Sequence, residues 1–578
     1  MAYKRLWRIL IHMKRLAFDI ETNGFNELII DKKGNPQPEG DTVWCMVIKD
    51  IDTQESFKFT QGGMIYGVGL LREATLLIGH NIIMFDIPFL ERIYGPIDCD
   101  VYDTLIVSRL MYPDRQNHPL GGNSLELWGK HLKIEKIDYT DSWDHYTDDM
   151  LIYCERDVDV TEQIFHAQQS FAEATKKPIE LEHNIAKIIS NQISNGINFD
   201  IHAADDLEQE LIMEKVEIED EMSRIFPPIT EERISEKTGK RLKDRVTHFN
   251  PASRKQIAER LSKKYGWKPP KTKKGNPNVS SSILKGLRYP EAKTLVKYFD
   301  IIKLLSMTSD WITRARYSRD GRIHGSVNTQ GTVTGRMTAS QPNLQQVSGD
   351  KRARALFIPK EDWIQVGIDA SGLEARLLAS RMAKWDNGEY CEIVLNGDFH
   401  TINQQKADLP TRDDAKVFFF ALIYGAGDYK IGRIINANRA VGKQIKEKFL
   451  LELPALKKLM EHTDFQVARK GTITLLDKRE VPCRSQHKAL NVQIQGDGAV
   501  LMKTAQKLFA KELENKYKGQ YGFMATIHDE WQIECDPKIA EDIGKLGVDC
   551  ITQSGIILGC NIKMDGEYRL GNNWAECH

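Results

Sequence analysis

Closely spaced carboxylates are the first residues in the chain that could do chemistry. In RLAFDIETNG, Asp19 and Glu21 lie two residues apart on an apolar stretch that predicts a strand. Alternate strand residues share a face, so both acids point the same way. Like charges that close are costly unless a cation neutralises them. A solvent-facing acidic strand would account for the pair taken alone. Two later segments favour a cation site. GHNIIMFDIPFL sets Asp86 in an apolar run, where a bare carboxylate is expensive, and YCERDVDVT sets Tyr153 and Asp157 four apart on one helix face. Asp19, Glu21, Asp86 and Asp157 together offer oxygen ligands suited to two hard divalent cations. Such a pair activates water and stabilises the leaving oxygen of a phosphodiester, with Tyr153 available to orient the water.

A second acidic set lies far downstream. QVGIDASGLEARLLA predicts a buried strand ending at Asp369, then a helix opened by Ser371-Gly372. FMATIHDEWQIEC alternates on both sides of His528-Asp529-Glu530 and predicts a β-hairpin with acids at its turn. Plain turn chemistry explains His-Asp-Glu taken alone. Pairing the two elements would bring Asp369 to Asp529, with the Ala370 carbonyl available to complete a metal shell. Between them, TRDDAKVFFFALIYGAG predicts a helix capped by Thr411, with Arg412, Lys416 and Phe420 in one stripe and Tyr424 slightly rotated from it. Two cations and a ring on one face can hold a triphosphate and a flat base together. The apolar run after Lys416 predicts partial burial of that stripe. His400, in GDFHT, offers a further phosphate donor. The chemistry such a set fits is in-line attack of a primer 3′-oxygen on an α-phosphorus.

Several elements must position these groups. Residues 14–165 read as alternating strands and helices. Residues 178–226 read as two long helices, the first ending at Asn195-Gly196 and the second at Pro227-Pro228. Two basic stretches follow, from Arg233 to Arg245 and from Arg254 to Lys274, the latter interleaved with Tyr265 and Trp267; sparse acids among them favour contact with phosphates. Residues 269–282 read as a loop, and 300–578 as mixed strands and helices. At 578 residues the chain is too long for one core. A hydrophobic content of 41% is enough to build several, and no window is apolar enough to span a membrane. The formal net charge of −1 neither announces nor excludes a nucleic-acid partner, because a local basic cleft suffices. Nine cysteines without a CxxC pair argue against a zinc site or a disulfide framework.

The first acidic set, in this order, resembles the DEDD-type 3′→5′ exonucleases, in the variant with tyrosine in the last motif. The motifs DASGLEARLLA, DNGEY at 386–390, LPTRDDAK, YGAGDYKIG and the terminal GNNWAECH resemble family A DNA polymerases, the family of bacterial DNA polymerase I, and within it the T-seven-type bacteriophage replicative enzymes. The resemblance covers nearly the whole chain after residue 14. It implies an α/β multidomain protein: a right-hand polymerase of palm, fingers and thumb, preceded by an RNase H-like DEDD 3′→5′ exonuclease domain. The implied boundaries are exonuclease 14–175, thumb 176–310 with a short basic loop 227–248, palm 311–400 and 481–578, and fingers 401–480. Residues 1–13 read as an extension, Met13 beginning MKRLAFDIE. The chain starts almost at the exonuclease motif, so no 5′-nuclease domain is expected ahead of it.

Roles follow from the resemblance position by position. Asp369 and Asp529 match the polymerase metal ligands, and Lys416 and Arg412 the triphosphate grip. Glu374 matches the glutamate that crowds the sugar 2′ position and excludes ribonucleotides, and Tyr424 the tyrosine near the templating base. Arg336 and Gln495, with His528, match residues at the DNA, where minor-groove acceptors common to every correct pair can be checked without reading sequence. The implied cofactors are two Mg²⁺ at each catalytic centre, with Mn²⁺ able to substitute. The implied partners are primer-template DNA, dNTPs, a phage helicase-primase and a single-stranded DNA-binding protein, in the cytoplasm of a bacterial host and away from membranes. Two departures stand out. Phe420 occupies a position where the T-seven-type enzymes carry tyrosine. The thumb insertion that captures host thioredoxin is here a short basic segment, so thioredoxin dependence is not expected. A single-subunit RNA polymerase, a purely degradative nuclease and a noncatalytic DNA-binding scaffold are the rival readings.

Overall fold

Alternation in the first strand decides how the N-terminal domain is layered. The computed structural model describes residues 15–24, 41–134, 137, 139–347 and 349–578. The expected extension over 1–13 lies outside them. In the strand Arg15–Thr22, Leu16, Phe18 and Ile20 enter one core with the helices Met64–Arg72 and Asp86–Tyr94. Ala17 enters another core, on the opposite face, with Met150, Cys154 and Val158 of the helix Asp148–Ala174. Asp19 and Glu21 share the parity of Ala17 and therefore its face. The sheet runs Ser56–Thr60, Val43–Asp50, Arg15–Thr22, Leu76–Gly79, Asp100–Asp103. Its first three strands pair antiparallel and the last two join in parallel. The expected alternation of strands and helices thus begins only after a three-stranded meander.

Residues 1–197, 324–346 and 359–578 form one unit, and residues 198–323 with 347–358 a second. In the first unit, a four-stranded antiparallel sheet of order Tyr521–Ile527, Glu530–Cys535, Ile364–Ala370, Gly566–Gly571 carries the C-terminal motifs. Val366, Ile368, Trp531 and Ile533 join one core with Leu501, Phe509, Ile543 and Ile551 of the helices Ala489–Tyr517 and Ala540–Ile557. Full burial of each such side chain contributes about 1.5–3 kcal/mol. Gly367 sits where a Cβ would meet the Cys577 carbonyl oxygen at 2.2 Å, so the terminal segment can lie directly on the central strand.

The helix Arg412–Ile423 is capped as expected, the Thr411 hydroxyl accepting from the Asp414 N–H at 3.0 Å. It ends at Gly425, which takes φ +73° and approaches the His487 carbonyl oxygen too closely for any side chain. Its buried face is Ala415, Phe418, Phe419 and Leu422. Arg412 and Lys416 are exposed, and Val417 is 54% exposed. Of the stripe, only Phe420 is half-buried against the core; its two cations are not, because the apolar run covers mainly the opposite face.

In the second unit, the long helices Ile201–Ile225 and Pro290–Tyr317 pack along each other. Arg316 holds Asp205 with two hydrogen bonds, and the Tyr298 hydroxyl donates to Glu219 at 2.6 Å. The segment 227–248, expected as a loop, contains a β-hairpin of Ile229–Ile234 with Arg241–Thr247. Its strands expose both faces, so the apolar period that announces a strand is absent from the sequence. Arg233, Lys237, Lys240, Arg241, Lys243 and Arg245 are all exposed.

Candidate functional site

Register in the C-terminal sheet brings the second acidic set together. Asp369 faces Glu530 on one side and Glu567 on the other. The Ala370 N–H donates to the Asp529 carbonyl oxygen at 3.1 Å, which fixes the His528–Asp529 turn beside the end of the central strand. His528 takes φ +54° in that turn. Burial, then the charges of Asp529, Glu530 and Glu567, push the Asp369 carboxyl up to about 7. Burial likewise raises Asp529. Two carboxylates of this kind are stabilised in their charged form by a bound cation. An all-oxygen set fits a hard divalent ion, with the Ala370 carbonyl nearby.

Glu530 is held differently. Trp574 Nε1 donates to its Oε1 at 2.8 Å, and His578 Nδ1 lies 3.0 Å from its Oε2. The terminal GNNWAECH therefore closes over the hairpin and occupies the glutamate, leaving Asp369 and Asp529 as the acids at its edge. That partnership has no sequence signal beyond the motif itself.

Glu374, one helical turn past Asp369's strand, ties the end of the helix Arg412–Ile423 to the sheet. The Tyr424 hydroxyl donates to both Glu374 carboxylate oxygens, at 3.0 and 2.9 Å, and Arg336 Nη2 donates at 3.2 Å. Burial and Glu374 push the Tyr424 phenol up to about 12, so it stays a donor. Arg336 also lines a narrow pocket with His528, Asp529 and Leu373. Gln495 is half-buried on the helix Ala489–Tyr517.

His400 lies beside the helix Arg412–Ile423, near Phe420 and within the field of Arg412. The His400 and Phe420 ring centroids are 6.3 Å apart. His400 is buried, and its Nδ1 has no hydrogen-bond partner among the described residues. Burial, then the charges of Arg412 and Lys416, pull its pKa down. Arg412 is engaged by Asp398 through two hydrogen bonds of 2.7 and 3.1 Å. Sequence reasoning missed Asp398, which also caps the helix Phe399–Ala407.

Two of the N-terminal acids also meet, and Asp86 borders them. Asp19 and Glu21 carboxylate oxygens lie with Cys154 Sγ inside a cluster no wider than 4.8 Å. Asp86 Oδ1 accepts from the Ile20 N–H at 3.3 Å, between the two. Burial pushes the Asp86 carboxyl up to about 7. Cys154 Sγ donates to the Asp19 carbonyl at 3.4 Å and so docks the helix Asp148–Ala174 on the strand. Asp157, buried one turn along, shares that helix face. Burial drives the Cys154 thiol well up. Tyr153 packs its ring 5.8 Å from both Tyr139 and Trp143. The carboxylate set fits hard divalent ions here too.

A further buried acid, Asp103, is a structural one. Its carboxylate accepts from the N–H groups of Asn81, Ile83, Leu105 and Ile106 at 3.0–3.3 Å. All of its capacity goes into capping a helix and a turn.

Comparison with known proteins agrees with this architecture. Residues 228–576 match DNA polymerase family A. The chain is 30% identical to the DNA-directed DNA polymerase of Enterobacteria phage T3, over 97% of this chain and 100% of that protein. It is 30% identical to the counterpart from Escherichia phage T7, over 95% and 100%. Its fold is similar to that of the POL domain of Pol1 from M. smegmatis, solved in complex with DNA primer-template and dNTP, with a TM-score of 0.80 at 16% identity, covering 99% of this chain and 98% of that one. The chain belongs to DNA polymerase family A.

Proposed function

We propose that this family A polymerase extends a primer on a DNA template and proofreads it with a 3′→5′ exonuclease in its N-terminal domain, in replication of a phage genome inside a bacterial host. The observation that carries the first activity is the meeting of Asp369 and Asp529 across adjacent strands, next to the Glu374–Tyr424–Arg336 network. Asp369, Asp529 and the Ala370 carbonyl would hold two Mg²⁺, which supply charge neutralisation for the attacking and leaving oxygens. Arg412, Lys416 and His400 grip the triphosphate, and Lys416 stabilises charge as pyrophosphate departs. Phe420 and Tyr424 flank the incoming nucleotide and template base. Arg336, Gln495 and His528 contact the duplex.

In the N-terminal domain, Asp19, Glu21, Asp86 and Asp157 would hold the ions of the exonuclease, and Tyr153 would orient the water. The buried carboxyl of Asp86 beside two further acids supports that reading. The test is a primed template with Mg²⁺, offered dNTPs or rNTPs in turn, followed by a mispaired primer without nucleotides. Extension with dNTPs and trimming of the mispair support the proposal; neither product from a folded enzyme overturns it.

Three substitutions probe nucleotide choice. Glu374→Ala opens the space beside the sugar, and the preference for dNTPs over rNTPs in kcat/KM should fall by about 100-fold. Tyr424→Phe leaves the carboxylate in place but loosens it, with a smaller fall expected. An unchanged ratio in Glu374→Ala removes the glutamate from sugar selection. Phe420→Tyr adds a hydroxyl near the sugar 3′ position. Incorporation of dideoxynucleotides should rise by roughly 10-fold or more, the worth of one strong hydrogen bond. Equal incorporation by both forms argues that the ring lies elsewhere.

A further inference from the structure

Away from both acidic sets, a cavity of about 270 Å³ lies among the helices Thr104–Met111 and Asp148–Ala174, the turn at Thr332–Gly335, and the turn between the strands Thr472–Thr474 and Glu480–Pro482. Two residues that line it carry buried polar atoms without protein partners among the described residues. Arg479 is 6% exposed, and its Nη2 has no hydrogen-bond partner among the described residues. Its other nitrogens are taken: Nε by Asp477 and Nη1 by Glu182, both at 2.7 Å. Gln330 is 8% exposed, and neither its Nε2 nor its Oε1 is hydrogen-bonded among the described residues. Buried amides and guanidinium nitrogens are almost always satisfied, so two at one cavity call for a ligand.

Charge and shape narrow its class. Arg109, Lys478 and Arg479 line the cavity against a single carboxylate, Glu480, which Lys470 already pairs at 2.7 Å. The excess is cationic, and two guanidinium groups suit a phosphate. Burial pulls the Arg109 guanidinium down, a cost that an anion would relieve. The rest of the wall is apolar, with Phe171, Pro178 and Val333. The volume lies near the lower end of the usual small-ligand range of roughly 300–1,000 Å³, which admits one nucleotide and no strand of DNA.

We propose that this cavity binds one nucleoside monophosphate, the phosphate held by Arg109 and Arg479, the base against Phe171 and Val333, and the Gln330 amide bonded to the base or sugar. The assignment stands on the cavity alone and does not rest on the exonuclease reading. The same turn continues into Arg336, which bonds Glu374, so occupancy on one side of Gly335 borders the polymerase pocket on the other.

The test is binding of dCMP to the full chain in chelator, which weakens nucleotide binding at the carboxylate centres. One equivalent should bind. Its affinity should fall about 10-fold or more in Arg109→Gln and in Val333→Trp, which fills the cavity. It should stay unchanged in Asp19→Ala and Asp369→Ala. Inorganic phosphate should compete only at concentrations about 10-fold higher, because it lacks the base. An unaltered melting temperature and primer-extension rate in Arg109→Gln show that the variant is folded. Absence of binding at millimolar dCMP, an affinity indifferent to Arg109→Gln and Val333→Trp, or phosphate binding as tightly as dCMP each overturns the assignment.

Discussion

Asp369→Ala should abolish primer extension while leaving removal of a mispaired 3′ end intact, and Asp19→Ala should do the reverse. Asp369 sits between strands bearing Glu530 and Glu567, with Asp529 at the adjoining turn, and its carboxyl is already pushed up to about 7 by this company. On the proposed reading, deleting it removes one of the two carboxylates that would hold the cations. Metal stabilisation of charge in phosphoryl transfer is worth several kcal/mol, so the loss should reach about 1,000-fold or more in the extension rate. Asp19 lies on a different sheet, in a cluster with Glu21 and Cys154. Its loss should slow trimming by a similar factor and leave synthesis at the parental rate. The measurement is single-turnover extension and trimming by each variant on the same labelled primer. An Asp369→Ala enzyme that still extends at a tenth of the parental rate would sink the two-cation reading of the polymerase centre. An Asp19→Ala enzyme that still trims would sink the corresponding reading of the N-terminal domain.

The acids were legible in the sequence because strand period and polarity conflict at them. An acid in an apolar run has few explanations; Asp19 and Asp369 each sit in an apolar strand, and Asp86 opens a buried helix. Asp103 sits beside one as well and escaped notice, because its neighbours Tyr102 and Thr104 look like ordinary strand and cap residues. Only the fold reveals that four backbone N–H groups consume it. The Thr411 cap and the helix boundary at Asn195-Gly196 were equally legible, since both are written in local chemistry.

What stayed hidden depends on residues far apart in the chain. No spacing rule pairs Tyr424 with Glu374, or Trp574 and His578 with Glu530; sheet register decides those meetings. The cationic stripe failed for a different reason. An apolar run after Lys416 says that the helix buries a face, but it does not say which one. Ala415, Phe418 and Leu422 form that face, while Arg412 and Lys416 look outward. The hairpin at 229–247 lacks any buried face, so its strands have no period to read.

Glu182→Gln should be among the most destabilising single substitutions in the chain, although Glu182 belongs to neither acidic set. Its carboxylate is fully buried and receives Lys503 Nζ at 2.8 and 2.7 Å and Arg479 Nη1 at 2.7 Å. Lys503 is 3% exposed and donates also to the Thr329 carbonyl at 2.8 Å. The cluster joins three distant segments: the helix Lys176–Asn195, the turn before Glu480–Pro482, and the helix Ala489–Tyr517. Removing the glutamate's charge leaves two buried cations facing Asp477 alone. Breaking a buried ion pair from one side costs about 3–5 kcal/mol, which for a chain of this size corresponds to a fall of about 3–4 °C in melting temperature. Glu180→Gln is the control: Glu180 pairs with Lys507 at 2.6 Å at the surface, where such a pair is worth about 0–1 kcal/mol. The two cations hold Glu182 below the usual carboxylate range despite its burial. Its contribution is therefore complete at neutral pH and fades as acid carries the solution down through the depressed folded value. In Glu182→Gln that acid-dependent loss should vanish from the melting profile. Equal melting temperatures for Glu182→Gln and Glu180→Gln would mean that packing alone joins the three segments. A lower melting temperature with an undiminished acid slope would mean that another carboxylate carries the pH dependence.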